Sequence, residues 1–151
     1  PSDTGKIRLR FAVGAALERH GQVDSAISVL EQVVAESPQN AQALNYLGYL
    51  LADKNLRLDY ARDLIKRALD MEPTNAAYLD SYGWVYFRLG DLNKAINYLT
   101  QAAELTSDAT IFDHLGDAYS AQGNPAEARV WWQKALDIDP QNASIADKLK
   151  E

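Results

Sequence analysis

A chain of 151 residues can bury one ordinary hydrophobic core without covalent help, and its lack of cysteine excludes a disulfide framework and thiolate metal sites. A formal net charge of −6 opposes contact with a phosphate backbone, so no nucleic-acid partner is expected. No apolar run approaches the ~20 residues of a membrane-spanning helix, so no direct membrane insertion is expected.

Residues 1–6 are polar and read as a frayed end. The chain starts with Pro1 rather than Met, which reads as a trimmed or excised segment. The compartment is therefore open between the cytoplasm and the bacterial cell envelope. A first helical pattern runs from Ile7 to near Gly21, and Asp24 is placed to cap a second. His20, at the end of the first helix, reads as a favourable partner of the helix dipole rather than a metal ligand. A second pair of helices fits 41–75, with one extra residue in the turn Asn55 to Asp59. The third pair, 76–108, opens with the stretch Asn75 to Gly90. On a helix, Leu79, Tyr82, Gly83 and Tyr86 form one stripe, while Asp80, Trp84, Phe87 and Arg88 fall on the other side. The first stripe is expected to be buried, and the second to be left with rings and charges. A fourth pair, 109–142, has a strong helix start at Asn124-Pro125-Ala126-Glu127. The segment 143–150 reads as a short ninth helix, with Ile145, Ala146 and Leu149 facing inward and Asp147, Lys148 and Lys150 outward. Trp131 and Trp132, in the helix beneath it, read as core.

One period runs through these pairs. Gly14, Gly48, Gly83 and Gly116 are 34, 35 and 33 residues apart, and Ala26, Ala61, Ala95 and Ala128 are 35, 34 and 33 apart. Glycine inside a helix costs up to ~1 kcal/mol relative to alanine, so its recurrence there implies a neighbouring helix at close approach. Pro38, Pro73 and Pro140 end the second helices, because proline lacks the N–H a helix interior needs. Asn40, Asn75 and Asn142 follow them as N-caps, and Asp108 takes that place where the proline–asparagine signal is missing.

A helix–turn–helix unit of this length, with a small residue at its eighth position, alanine at its twentieth and proline near its thirty-second, resembles the tetratricopeptide repeat (TPR). The family pattern at positions four, seven, eight and eleven appears as Leu44, Leu47, Gly48 and Leu51. It recurs as Leu79, Tyr82, Gly83 and Tyr86, and as Phe112, Leu115, Gly116 and Tyr119. Repeat one departs from it with Arg10 at position four. The wording NYLGYLLAD, AYLDSYGWVYFRLG and DHLGDAY is also similar to bacterial repeat proteins, many of them envelope lipoproteins. The resemblance implies an all-α fold: a right-handed α-solenoid of four TPR units (about 7–40, 41–75, 76–108 and 109–142) plus a C-terminal capping helix at 143–150. The whole of 1–151 would then be a single TPR domain.

In this family the first helices line a concave groove, and positions two, five, nine, twelve and thirteen point into it. Carried over, these positions hold Asn45, Tyr49 and Asp53 in repeat two, Asp80, Trp84, Phe87 and Arg88 in repeat three, and Asp113 and Asp117 in repeat four. Rings beside carboxylates suit a protein or peptide ligand with an apolar or aromatic anchor and at least one Lys or Arg. Repeats three and four together hold nine acidic and four basic residues, which reinforces the acidic character of this half. Family members that grip acidic chaperone tails use a cationic clamp. The matching positions here, among them Asn45, Tyr49, Ser81, Thr110 and His114, supply no such cations, which disfavours that use.

The expectation is a protein–protein interaction scaffold or adaptor that needs no cofactor and no metal. The second reading is a self-assembling structural module that forms homo-oligomers. An enzyme could be drawn only from Asp113, His114 and Asp117 beside Ser81, with no phosphate-cradling loop, so catalysis is not expected.

Overall fold

The computed structural model describes residues 3–150, which form nine α-helices and no strand. They fall into two compact units that divide between Glu72 and Pro73. The first holds α1 (Asp3–Arg19), α2 (Val23–Glu36), α3 (Ala41–Asp53) and α4 (Leu58–Met71). The second holds α5 (Ala76–Leu89), α6 (Leu92–Leu105), α7 (Ala109–Ala121), α8 (Pro125–Ile138) and α9 (Ala143–Leu149). In each unit a helix packs on its successor: α1 on α2, α2 on α3 and α3 on α4 in the first; α5 on α6, α6 on α7, α7 on α8 and α8 on α9 in the second. α5 also reaches α7 directly.

The helix starts follow from the caps. The side-chain oxygens of Asn40, Asn75 and Asn142 accept from the backbone N–H groups of Ala43, Tyr78 and Ile145, each at 3.1 Å. Asp108 accepts from Thr110 and Ile111 at 2.8 and 3.2 Å, and Asp91 from Lys94 at 3.1 Å. Each bond satisfies a donor that the first helical turn leaves unpaired. The extra residue in the α3–α4 turn has a visible backbone cost. Asn55 and Arg57 both adopt positive φ, 58° and 44°, a region that side chains with a Cβ avoid. The Arg57 side chain pairs with Glu31 at 2.8 Å and lies over the Tyr60 ring.

The recurring glycines lie where each pair of helices comes closest. A Cβ built on Gly48 would stand 2.5 Å from the Ile65 side chain and 3.0 Å from the Ala61 carbonyl oxygen. On Gly83 it would stand 2.7 Å from Leu99 and 3.0 Å from the Ala95 carbonyl. On Gly116 it would meet the Trp132 ring at 2.2 Å. The recurring alanines Ala26, Ala61, Ala95 and Ala128 are fully buried on the opposing helices. Bulk fills the remaining space: Leu44, Leu47, Leu51, Leu64 and Ile65 in the first unit, and Leu99, Leu115 and Val85 in the second.

Several local expectations are corrected. Asp3–Lys6 is helical, the first turn of α1, while Pro1 and Ser2 lie outside the described residues. Gln22 rather than Asp24 stands at the start of α2, and no side chain caps it there. Arg10, at the position where the other repeats bury Leu44, Leu79 or Phe112, instead pairs with Glu36 of α2. Both members of that pair are well exposed, so it adds little stability. Trp131 and Trp132 are half-buried rather than wholly core.

Gly48→Ala tests the close approach. The added methyl gains up to ~1 kcal/mol of helix propensity. It must also displace Ile65 and crowd a backbone carbonyl, an overpacking cost of ~1–3 kcal/mol. Urea unfolding should show a net loss of stability; an unchanged or raised midpoint would show that the contact is slack.

Candidate functional site

α5 is buried on both sides. Every residue from Tyr78 to Val85 is buried, including Asp80 and Trp84, which the two-faced reading left on the solvent side. The cause is α7, which turns His114 toward α5. Its Nδ1 lies 2.7 Å from Asp80 Oδ1, and its ring stacks on Trp84 with centroids 4.0 Å apart. Phe87 stacks on Trp84 at 4.7 Å, almost parallel, and the Arg88 guanidinium lies 5.0 Å from the Trp84 centroid. Asp80, Trp84, Phe87 and Arg88 are thus brought together as one locked row. Phe87 and Arg88 keep partial exposure.

A second carboxylate cluster lies on α7. Asp113 and Asp117, one turn apart, both accept from the Lys148 ammonium of α9, at 2.8 Å for Asp113 and at 2.9 and 3.2 Å for the two oxygens of Asp117. Trp132 of α8 donates its indole N–H to Asp117 at 3.2 Å. Lys148 therefore points inward, against the outward placement read from its helix alone. A one-helix pattern cannot see this contact, because it joins residues 31 and 35 apart.

These two clusters share one register. Asp80 and His114 stand at the fifth position of α5 and the sixth of α7; Asp113 and Lys148 stand at the fifth of α7 and the sixth of α9. In the first unit Phe11, fifth in the repeat that begins at Ile7, and Tyr46, sixth in α3, pack edge to face at 5.3 Å. The fifth position of one first helix thus meets the sixth of the next, with rings in one unit and charges in the other. A sequence signal for it existed: Ile111–Leu115 reads IFDHL, and Ile145–Leu149 reads IADKL.

The remaining sequence-derived candidates, Asn45, Tyr49 and Asp53, lie on α3 in the first unit. Asn45 and Tyr49 are half-buried and Asp53 is exposed. Among the described residues no group of three or more His, Cys, Asp or Glu could hold a metal ion. Nor is any described helix long and apolar enough to cross a membrane.

Burial shapes the protonation of the charged groups. Desolvation works against a charged His114, but Asp80, with Asp113 and Asp117 behind it, outweighs burial and holds the imidazole pKa above its usual value. Burial pushes the Asp117 pKa up from its usual value, against the pull of Lys148. Lys148 is itself partly desolvated, yet its two carboxylates raise its pKa, so it stays an ammonium ion at neutral pH.

The tetratricopeptide repeat pattern matches residues 13–76, and again 76–109 and 109–142. The chain belongs to the tetratricopeptide repeat family. TPR repeats are, as a rule, protein–protein interaction modules rather than catalysts. The TPR repeat-containing protein PA4667 of Pseudomonas aeruginosa is 41% identical over 111 residues, 74% of this chain and 19% of that protein. The chain thus spans about a fifth of the length of the curated relatives it matches first. Among solved structures, PilF of Pseudomonas aeruginosa superposes with a TM-score of 0.79 at 20% identity, over 95% of this chain and 65% of that one. A crystal structure of MamA superposes with a TM-score of 0.71 at 24% identity, over 91% and 80%. At these identities the likeness shows the fold, an all-α TPR solenoid.

Protonation of His114 should be measurable as stability. A pKa raised in the folded state means full stabilisation below the unfolded value of about 6.5, lost as pH rises through the folded value. Thermal melts stepped upward from pH 6 should show the wild type losing stability on that account, and His114→Gln should flatten the profile. Equal slopes in the two proteins would count against a charged Asp80–His114 pair.

Proposed function

We propose that this TPR chain is a scaffold or adaptor that holds a segment of a partner protein against its first helices. The observation that carries this reading is the locked row on α5. Trp84 is fixed by His114 and Phe87, and Phe87 and Arg88 stay partly exposed beside it. Rings immobilised before binding lose little side-chain entropy on contact, which is what makes them efficient anchors. Half-buried Tyr49 and exposed Asp53 offer a further ring and carboxylate on α3. The partner this chemistry suits carries an apolar or aromatic anchor and a lysine or arginine. Asp80, Asp113 and Asp117 support it only indirectly, since His114 and Lys148 already engage them.

Trp84 is a poor probe of binding, because truncating so buried a ring costs ~3–5 kcal/mol of stability by itself. Tyr49→Ala and Phe87→Ala/Arg88→Glu are cleaner. With a protein captured by the wild type and then purified, titration should show each folded variant weakened about tenfold, or ~1–2 kcal/mol. Undiminished affinity in both would remove the first helices as the binding face.

A second reading, self-assembly, is favoured by one feature of α1. Leu9 is 67% exposed and Val13 44%, one turn apart on α1. Their equivalents in α3 and α7, Ala43 with Leu47 and Ile111 with Leu115, are buried, and α2 and α6 pack on those helices. If copies cover each other there, sedimentation velocity should show a concentration-dependent oligomer that Leu9→Glu/Val13→Lys returns to monomer. A monomer at every concentration would end this reading.

A further inference from the structure

Three of the chain's eight tyrosines meet in one place. Tyr82 and Tyr86 lie one turn apart on α5, and Tyr98 packs on both of them from α6. The Tyr82 ring stands edge-on to the other two, with centroids 5.0 Å from Tyr86 and 4.7 Å from Tyr98. Tyr86 and Tyr98 stack nearly parallel, their planes 15° apart and their centroids 5.9 Å apart. The hydroxyls of Tyr82 and Tyr86 share a hydrogen bond at 3.3 Å. The Lys94 ammonium lies 5.2 Å from the Tyr86 centroid. Exposure separates the three. Tyr82 is 6% exposed, whereas Tyr86 and Tyr98 are half-buried and reach solvent. Packing accounts for rings at these positions but not for three hydroxyls, because phenylalanine fills the same space with no polar group to satisfy.

We propose that Tyr86 and Tyr98 form an oxidative cross-linking site, at which a one-electron oxidant of the peroxidase class joins α5 to α6 through a dityrosine bond. Each phenol gives up one electron and its hydroxyl proton and becomes a phenoxyl radical, with spin on the carbons ortho to oxygen. The two radicals couple by forming a C–C bond between ortho carbons. The hydrogen on each of those carbons then moves as a proton to the oxygen of its own ring, which restores both phenols. The chain loses two hydrogen atoms overall, and one hydrogen peroxide is reduced to two waters. Coupling inside one chain outruns the other fates of a radical when the second ring is already held at contact, as it is here. Tyr82 is too deeply buried to meet the oxidant. Its place is to wedge against both partners and to restrain the Tyr86 ring through the shared hydrogen bond. The new bond would bridge the turn at Gly90 and fasten the helix pair that closes on Gly83. A short covalent loop removes freedom from the unfolded chain, so the linked protein is the more stable one. The site lies on the stripe of α5 that faces away from Asp80, Trp84 and Arg88, and it does not rest on the scaffold reading.

The full chain, kept dilute to suppress encounters between copies, is treated with a haem peroxidase and hydrogen peroxide and digested with trypsin. Cleavage after Arg67, Arg88, Lys94 and Arg129 leaves Tyr86 on peptide 68–88 and Tyr98 on peptide 95–129. The wild type should yield these two peptides joined, at their summed mass less two hydrogens, with the blue fluorescence of dityrosine. Tyr78 and Tyr119 share the same two peptides, so the variants decide the pairing. Tyr86→Phe and Tyr98→Phe should each abolish the joined product, and Tyr82→Phe, which keeps the ring, should retain most of it. Melts before oxidation confirm that all three variants are folded. After oxidation the wild type should melt above Tyr98→Phe treated in the same way. Joined product that survives Tyr86→Phe or Tyr98→Phe, its loss in Tyr82→Phe, bonds formed only between chains, or oxidation confined to tryptophan and Met71 overturns the site. Equal melting of the oxidised wild type and Tyr98→Phe overturns its action as a clip.

Discussion

The close approach of paired helices at Gly48, Gly83 and Gly116 is the constraint on which the other features rest. At each of these positions a Cβ would lie within 3.0 Å of a side chain on the opposing helix. The missing side chain lets the two helices settle at a separation fixed by backbone and by Ile65, Leu99 or Trp132. Interiors this dense do not deform continuously, so within each unit the geometry of one pair is passed to the next with little slack. That is why one register, the fifth position of a first helix against the sixth of the following one, recurs as Phe11–Tyr46, Asp80–His114 and Asp113–Lys148.

What occupies that register differs between the units, and the energetics differ with it. An edge-to-face ring pair such as Phe11 and Tyr46 adds ~0.5–1.5 kcal/mol beyond the area it buries. A buried ion pair recovers its desolvation cost only when its geometry is good and its remaining valences are filled. Asp80–His114 meets the first condition at 2.7 Å, and Trp84 shields it. Asp113–Lys148–Asp117 is less balanced, with two carboxylates sharing one ammonium and the Trp132 N–H supplying part of the difference. On this face of the second unit the three carboxylates Asp80, Asp113 and Asp117 are matched by His114, Lys148 and Arg88. The salt bridges seen within the chain absorb most of what the carboxylates can give.

Much of this architecture was legible in the sequence, and the reason is that its causes are local. A proline, an asparagine two residues on, a glycine and an alanine at fixed spacing each act within one turn or one helix pair, so Asn40, Asn75 and Asn142 could be placed as caps from the chain alone. The candidate site was less legible because its contacts skip a whole repeat. On a single helix Trp84 and Asp80 lie away from the apolar stripe of α5, and nothing local says that α7 will cover them. Lys148 reads as outward for the same reason, since α9 by itself gives no sign of two carboxylates waiting on α7. Arg10 is the converse case: the family pattern asks for an apolar side chain, and only the position of Glu36 on α2 explains a cation there.

The burial of Trp84 also changes what the aromatic row can do. A ring that is stacked on both His114 and Phe87 cannot swing out to meet a ligand without breaking both contacts and uncovering the Asp80–His114 pair. Trp84 is thus better understood as the rigid backing that presents Phe87 and Arg88 than as an anchor in its own right. The same stack also covers a titratable pair. Deprotonating His114 would leave Asp80 buried beside a neutral ring, whose Nδ1–H can still donate to the carboxylate. Phe87 and Arg88 rest on the same indole that His114 stacks on. Packing on α5 and charge on α7 are therefore joined in one cluster, in which the ring that backs Phe87 and Arg88 also covers the Asp80–His114 pair.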